Sequence, residues 1–144
     1  MQAAVGCAQL KKLPGFIKAR KRNFKFLNKA FKKFSDYFIL PRVDKKADPS
    51  WFGFPVLVKK DAPFTRGDIV KYLEDKKIAT RMLFGGNLTK QPAYKNLNYR
   101  VSGGLDNTNM VMNNLFWIGV YPGIKKAMLL YMEKALTDFF EDKV

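Results

Sequence analysis

The polar side chains best suited to hold a ligand lie in one short stretch, TRMLFGGNLTKQPAY at residues 80–94. An arginine supplies a permanent cation that can bind a phosphate through two nitrogens, and an asparagine and a glutamine can each donate and accept hydrogen bonds. A threonine and a lysine add further polar contacts, so the set suits a ligand rich in hydroxyl and phosphate groups. The alternative is a surface turn whose amides bind only the backbone and whose arginine pairs with a carboxylate. The candidate residues are Arg81, Asn87, Thr89, Lys90 and Gln91.

Groups that could perform catalysis are scarce, since the chain has no histidine and a single cysteine, Cys7. It therefore lacks the commonest acid–base group and the usual metal ligands, and it cannot form an internal disulfide. The glycine pairs at 85–86 and 103–104 lack the pattern of a phosphate-binding loop and are typical of turns. The paired carboxylates at 74–75 and 141–142 fall at predicted helix ends, where solubility is the expected role. We expect this chain to contribute no catalytic residue, and residue chemistry alone leaves open whether the polar loop binds a ligand or is a surface turn.

A predicted strand, Ile78 to Phe84, positions Arg81 beside the polar loop. Because successive side chains alternate between the two faces of a strand, Arg81 points away from the face that Ile78 and Thr80 share. Just upstream, TRGD at residues 65–68 has the spacing of a capping box and predicts a helix that ends near residue 77. In the predicted strand over 52–58, Phe52 and Phe54 lie on one face, and Pro55 predicts that the strand is at a sheet edge. The other predicted elements are helices over 1–10, 16–37, 107–112 and 125–141 and a strand over 115–122.

The net charge of +15 is concentrated in one part of the chain. Between Lys11 and Lys46 there are 13 lysines and arginines against two aspartates, a net charge of +11. Phe24, Leu27 and Phe31 recur every three or four residues in this region, which places them on one helix face and the lysines on the other. The basic run is therefore interpreted as the solvated side of a helix, and a small nucleic-acid-binding module remains the alternative.

Length and composition bound the fold, because 144 residues with 47% apolar side chains suit an α+β fold of short, mostly antiparallel strands covered by helices. No run approaches the length of a membrane span, so we expect a cytoplasmic protein. The first predicted helix starts at Met1 without a capping residue, which suggests that the chain is part of a longer parent protein.

Three blocks of sequence carry a resemblance to a known family: MQAAVGCAQLKKLPGFIKARKRNF, then SWFGFPVLVKKDAPFTR, then IATRMLFGGNLTKQPAY followed by MNNLFWIGVYPG. Together they resemble the C-terminal third of the DegT/DnrJ/StrS-type pyridoxal-phosphate (PLP) enzymes that act on nucleotide sugars. More narrowly, GNLTKQPAY with FWIGVYPG is similar to the lipopolysaccharide-biosynthesis sugar 3-dehydratases, typified by CDP-4-keto-6-deoxyglucose 3-dehydrase. The resemblance runs from Met1 to the last helix.

The resemblance implies part of a fold-type-I aminotransferase architecture. Residues 1–40 would be linking helices at the subunit and domain boundary, and residues 41–144 would be the small C-terminal domain that covers the substrate. The PLP or pyridoxamine phosphate (PMP) site, the catalytic histidine and the cysteines of any [2Fe-2S] cluster would lie upstream of this chain. Cys7 is accordingly expected to be a buried small residue.

The resemblance also implies an activity for the full-length protein. It would be a lyase-type enzyme that removes the C3 hydroxyl of a CDP-linked 4-keto-6-deoxy sugar, with the cofactor as electron sink and a separate reductase supplying electrons. The product would be a 3,6-dideoxy sugar for the O-antigen, and small residues of the first helix would serve homodimer contact. Arg81, Phe84 and Asn87 would line the sugar-nucleotide side, with Thr89, Lys90 and Gln91 close by. A sugar aminotransferase of the same family remains an alternative, because only an upstream lysine or histidine separates the two.

Overall fold

A four-stranded antiparallel sheet lies at the centre of the fold in the computed structural model, which describes residues 1–143. The strands lie in the order β1-β2-β4-β3, and each neighbouring pair is antiparallel. This arrangement confirms the predicted α+β class. The last residue of the predicted C-terminal domain, Val144, lies outside the described residues. The strands are β1 Phe38–Ile39, β2 Gly53–Val58, β3 Thr80–Met82 and β4 Leu115–Gly119.

The described residues also form four α-helices: α1 Gln2–Lys32, α2 Arg66–Asp75, α3 Asp106–Asn114 and α4 Lys126–Lys143. The capping box at α2 is confirmed, because the Thr65 hydroxyl accepts from the Asp68 N–H at 3.2 Å and the Asp68 carboxylate accepts from the Thr65 N–H at 2.8 Å. The predicted short helix near residue 107 is confirmed as α3. Two single-turn 3₁₀ helices, Leu88–Lys90 and Pro92–Tyr94, shape the polar loop between β3 and α3. None of the helices described over residues 1–143 is both long and apolar enough to span a bilayer.

The hydrophobic core lies between one face of the sheet and helices α1, α2 and α4. Along β2 and β4 every second side chain points toward these helices, and the apolar side chains of the helices that recur every three or four residues pack against them in one cluster. The periodic face of α1 packs here as predicted, and ring pairs at 5–6 Å centroid spacing, such as Phe31 with Phe54 at 5.3 Å, fill the space. The side chains with the least exposure include Leu27, Phe54, Val56, Ile69, Leu73, Phe116, Leu136 and Phe139.

The predicted break at Pro14 is wrong, because α1 runs unbroken through it for 31 residues. A proline inside a helix costs one hydrogen bond, here the one that the Leu10 carbonyl would accept, but its fixed φ is compatible with the helix. The prediction also extended this helix too far, since it ends at Lys32 and β1 follows. The first half of α1, through Phe16, is exposed, and so is Cys7, which was expected to be buried.

Two predictions about β2 are also corrected. β2 is an interior strand, not an edge strand; Pro55 is tolerated because β1 pairs only with Leu57 and Val58, so Pro55 has no neighbour on that side. Phe52 does not share the core face of Phe54, because it precedes the strand and is 70% exposed.

Candidate functional site

Arg81 lies on the edge strand β3, on the sheet face opposite the core. Its register partner on β4 is Trp117, and Trp117 in turn pairs with Pro55 on β2, so these three residues form one row across the sheet. The guanidinium is exposed and donates a hydrogen bond to the Thr80 carbonyl at 2.7 Å. None of the ion pairs found among residues 1–143 includes Arg81. The guanidinium therefore keeps most of its donors available to a ligand.

The carboxylate that could compete for Arg81 is already engaged. Glu74 at the end of α2 accepts the Thr80 N–H at 2.5 Å and the Thr80 hydroxyl at 2.7 Å. These two hydrogen bonds, first the backbone one and then the hydroxyl, lower the pKa of Glu74, and the charge of Arg81 lowers it further as the weakest contribution. The alternative in which Arg81 is simply half of a surface ion pair is therefore not what the structure shows.

Asn87 holds the polar loop in shape. Its side chain is only 2% exposed; Oδ1 accepts from the Thr89 N–H at 3.0 Å and from the Thr89 hydroxyl at 2.7 Å, and Nδ2 donates to Asn109 Oδ1 at 2.8 Å. Gln91 closes the same loop by donating from Nε2 to the Gly85 carbonyl at 2.5 Å. Direct contact of Asn87, Thr89 or Gln91 with a ligand stays a prediction, whereas their observed contacts fix the backbone.

Phe84 is presented to solvent by a strained turn. It has a positive φ of 47°, a region that costs a non-glycine residue roughly 1 kcal/mol, and its side chain is 85% exposed. The following Gly86 has φ 61° and lies so close to α3 that a Cβ there would approach Met112 Cγ to 2.6 Å. The turn thus packs closely against α3, and the Phe84 ring is on its solvent side. Lys90 is exposed as well.

An open groove of 510 Å³ runs between this turn and α3. Its walls are mainly apolar, with Leu83, Phe84 and Leu88 on the loop side and Thr108 and Val111 on the helix side. Three candidates are therefore exposed: Phe84 lines the groove, Lys90 lies on the same loop, and Arg81 lies on β3 just before that loop. The other three candidates support the loop from within.

Trp117 is a residue of this surface that the sequence motifs did not indicate. Its ring lies across Gly53, where a Cβ would be 3.0 Å from Cζ3 and closer still to Cε3, and its Nε1–H donates to the Met82 carbonyl at 3.2 Å. The Phe52 ring lies 5.2 Å from the indole, and the Arg20 guanidinium lies 6.0 Å from the Phe52 ring. The alternation of LFWIG could have revealed Trp117, because it puts this side chain on the face of Arg81 and opposite Phe116 and Ile118.

The periodic aromatic face of the basic helix is not available for stacking on bases, and Phe16 is the exposed aromatic side chain of this helix, at 37%. Phe24, Leu27 and Phe31 are buried in the core, while Ala3 and Ala4 at the start of the same helix are exposed. Lys21 pairs with Asp48, and Lys33 pairs with Glu133 at 2.6 Å. This distribution matches a solvated helix side and disagrees with an aromatic nucleic-acid-binding face.

Comparison with known proteins gives a consistent result. Residues 1–137 match the family described as the DegT/DnrJ/EryC1/StrS aminotransferase family. The chain is 44% identical over 140 residues to the lipopolysaccharide biosynthesis protein RfbH of Salmonella typhimurium, covering 97% of this chain and 32% of that protein. It is 40% identical over 139 residues to the dTDP-4-dehydro-2,6-dideoxy-D-glucose 3-dehydratase of Saccharopolyspora spinosa, covering 96% of this chain and 30% of that protein.

The fold is also that of solved enzymes. The Escherichia coli GDP-4-keto-6-deoxy-D-mannose-3-dehydratase with bound hydrated PLP superposes with a TM-score of 0.80 at 30% identity, over 92% of this chain and 34% of that one. A variant of the same dehydratase has been solved with bound GDP-perosamine. The chain spans about a third of the length of the relatives it matches. On these matches the chain belongs to the DegT/DnrJ/EryC1/StrS aminotransferase family.

Proposed function

We propose that this chain is the C-terminal, substrate-covering part of a PLP/PMP-dependent CDP-4-keto-6-deoxyglucose 3-dehydrase, a cytoplasmic enzyme that makes 3,6-dideoxy sugars for the lipopolysaccharide O-antigen. The similarity to RfbH and to two sugar-nucleotide 3-dehydratases supports it. The single observation that carries it is the exposed Arg81, which has no ion-pair partner among the described residues and lies beside the polar loop that, by the resemblance, would face the substrate.

In this proposal the chain binds and positions the substrate. Arg81 neutralises the diphosphate, because a guanidinium binds phosphate oxygens through two parallel hydrogen bonds. Phe84 and Lys90 cover the sugar from the loop side, with Asn87, Thr89 and Gln91 holding that loop in one conformation. A fixed loop lowers the entropy that must be lost when substrate is ordered for reaction.

The residues of this chain do not fit the cofactors themselves. PLP or PMP requires an enclosed site with a base beside its reactive carbon, whereas the groove next to the loop is open and mainly apolar. The chain has no histidine, and a [2Fe-2S] cluster held by four thiolates does not fit its one exposed cysteine. The proposal therefore places the cofactor, which supplies the electron sink, and any cluster outside this chain.

The exposed first half of α1 fits a further part of the proposal. Residues 1–40 would link the C-terminal domain, residues 41–144, to the cofactor domain and would contact the second subunit of a homodimer. The small side chains Ala3, Ala4, Gly6 and Ala8 permit close approach of another helix or sheet. A separate reductase would supply the electrons that complete deoxygenation.

A chimeric enzyme tests the proposal. The matching third of the Salmonella relative is replaced by this chain, and the loss of one water from CDP-4-keto-6-deoxyglucose is followed by mass spectrometry. We expect water loss in the chimera and an increase in KM of about tenfold or more for its Arg81→Gln variant, since a charge-assisted hydrogen bond contributes about 1.5–3 kcal/mol. Arg100→Gln, which changes an exposed arginine in the stretch between the loop and α3, is the matched control.

Three outcomes would contradict the proposal. A folded, cofactor-loaded chimera that removes no water would sink it, as would an Arg81→Gln variant with unchanged KM. Transfer of an amino group to the substrate in place of water loss would support the aminotransferase alternative. Oligonucleotide binding by this chain that weakens steeply with salt, with no nucleotide-sugar binding, would support the nucleic-acid alternative.

A further inference from the structure

The sheet face opposite the core carries a ring surface, formed by Trp117 and Phe52, next to Arg81, which forms no ion pair with any residue of the described range 1–143. The two rings lie 5.2 Å apart at an interplanar angle of 54°. Both side chains are accessible: Trp117 is half-buried and Phe52 largely exposed. Trp117 on β4 and Phe52 just before β2 form one contiguous aromatic patch, and a planar ligand can stack on such rings.

The backbone is built to keep the indole flat on the sheet. Gly53 leaves the space that the indole occupies, since a Cβ there would press on the ring, and the Nε1–H bond to Met82 fixes its orientation. Arg20 on α1 holds the adjoining segment by donating to the carbonyls of Trp51 at 3.0 Å and Phe52 at 3.3 Å. The Trp117 ring is thereby ordered before any ligand arrives, which reduces the entropic cost of stacking.

The strand register orders the candidate groups along the face. Met82 pairs with Phe116 and Thr80 with Ile118, so the polar loop that follows Met82 lies at one end of the strands. Gly53 pairs with Gly119 at the other end, where Phe52 lies, and the row of Arg81 and Trp117 is between them. With a rise of about 3.3 Å per residue, the loop end and the Phe52 end of the strands are roughly 10 Å apart, and Arg81 and Trp117 lie side by side in one row between them.

We infer that Trp117 and Phe52 form the subsite for the planar base of a nucleotide, with Arg81 on its diphosphate. The inference rests on the proposed function, because it takes the sugar to be at the loop. A nucleotide sugar with its sugar at the loop and its diphosphate on Arg81 would have its base on the Trp117 ring, which lies beside Arg81 and extends over Gly53 toward Phe52. The charges are complementary as well, since Arg81 and Arg20 are cations next to the rings and a nucleoside diphosphate is an anion.

Titrations of this chain with CDP and with base-free pyrophosphate test the subsite. In a Trp51→Phe background Trp117 is the remaining indole, so we expect CDP to quench its fluorescence and pyrophosphate to leave it unchanged. Trp117→Leu should weaken CDP binding about tenfold and leave pyrophosphate binding within about twofold, because stacking on an aromatic side chain contributes only to the base. Arg81→Gln should weaken both ligands.

Two further variants guard against a folding defect. Phe52→Leu changes an exposed ring and should weaken CDP binding in the same base-dependent way if Trp117→Leu does not fold. Tyr131→Leu changes an exposed ring on α4 and should leave CDP binding unchanged. Absence of CDP binding, equal binding of CDP and pyrophosphate, or unchanged CDP binding by the folded Trp117 and Phe52 variants overturns the inference.

The failure of this inference can be distinguished from failure of the proposed function. A chimera that removes water and whose Trp117→Leu variant keeps its KM refutes only the base subsite. A chimera that removes no water refutes the proposed function, while base-dependent quenching in the isolated chain would still support a nucleotide site on this face.

Discussion

Gly53 and Gly119 face each other across β2 and β4, yet they should respond oppositely to the same substitution. At Gly119 an added Cβ meets nothing within 4 Å, and neither glycine has a positive φ. Gly119→Ala should therefore stabilise the protein by about 0.5 kcal/mol, because alanine has less backbone freedom than glycine in the unfolded chain. At Gly53 the same methyl group would overlap the Trp117 ring, with a Cβ to Cδ2 distance of 3.1 Å.

The size of the Gly53 effect follows from what must move. Displacing a packed ring costs about 1–3 kcal/mol, and the Trp117 hydrogen bond to Met82, contributing roughly 1 kcal/mol, is lost when the indole shifts. Both alanine variants gain about 0.5 kcal/mol from the reduced freedom of the unfolded chain. With that gain included, Gly53→Ala should lower the free energy of unfolding by about 2 kcal/mol, so the two variants should differ by about 2.5 kcal/mol. For a chain of this length that is a difference in Tm of about 10 °C.

Thermal unfolding followed by circular dichroism measures this difference, and Trp117 fluorescence reports the ring. When Trp117 is already replaced by leucine, adding Gly53→Ala should lower the melting temperature only slightly, since the clash requires the indole. Equal melting temperatures for Gly53→Ala and Gly119→Ala, or a Gly53→Ala cost that persists without the indole, would refute the idea that Gly53 is small in order to seat Trp117.

Three other predictions concern polar groups. Asn87→Ala should lower the free energy of unfolding by about 2 kcal/mol in urea titration, because Thr89 loses the acceptor of two hydrogen bonds, whereas the exposed Asn96→Ala should change it by less than about 0.5 kcal/mol. Tyr72→Phe should be neutral or stabilising by up to about 1 kcal/mol, because the Tyr72 hydroxyl is buried without a hydrogen-bond partner among the described residues and burial raises its pKa. Because the pKa of Glu74 is lowered in the folded protein, its carboxylate stabilises the fold above about pH 4.3, the pKa of an unfolded glutamate, and this stabilisation is lost as pH falls through the lower folded pKa. Glu74→Gln should therefore make the free energy of unfolding less dependent on pH in urea titrations between about pH 2 and 5. An Asn87→Ala stability equal to that of Asn96→Ala, a clear loss in Tyr72→Phe, or an unchanged acid slope in Glu74→Gln would contradict the respective account.

Local patterns predicted the elements whose causes are local. The capping box at Thr65 needs only the chemistry of four neighbouring residues, and the face of α1 that carries Phe24 and Phe31 needs only helix period. These predictions are confirmed. The position of Arg81 on the face away from the core also followed from strand alternation alone.

The remaining features depend on contacts between distant parts of the chain. A helix break was predicted at Pro14 because helix propensity gives only the local cost of a proline. It does not include the stabilisation by the rest of the helix, which outweighs that cost. The strand β1 has only two residues, too few to show an alternating pattern in the sequence. It forms because its backbone pairs with Val58 and Leu57 of β2. Asn87 looked like an available ligand contact since the sequence does not show that Asn109, in a later helix, meets it.

The unbroken α1 also has a mechanical consequence. A helix of 31 residues is a stiff rod of about 46 Å, and Pro14, lacking one hydrogen bond, is its natural point of flexure. A protein segment that binds the first 13 residues would be connected to the sheet through this helix. A bend of about 5° at Pro14 would therefore move the N-terminal end of the helix by about 2 Å. Replacing Pro14 with alanine would stiffen the rod at its weakest point while leaving every contact of the core untouched.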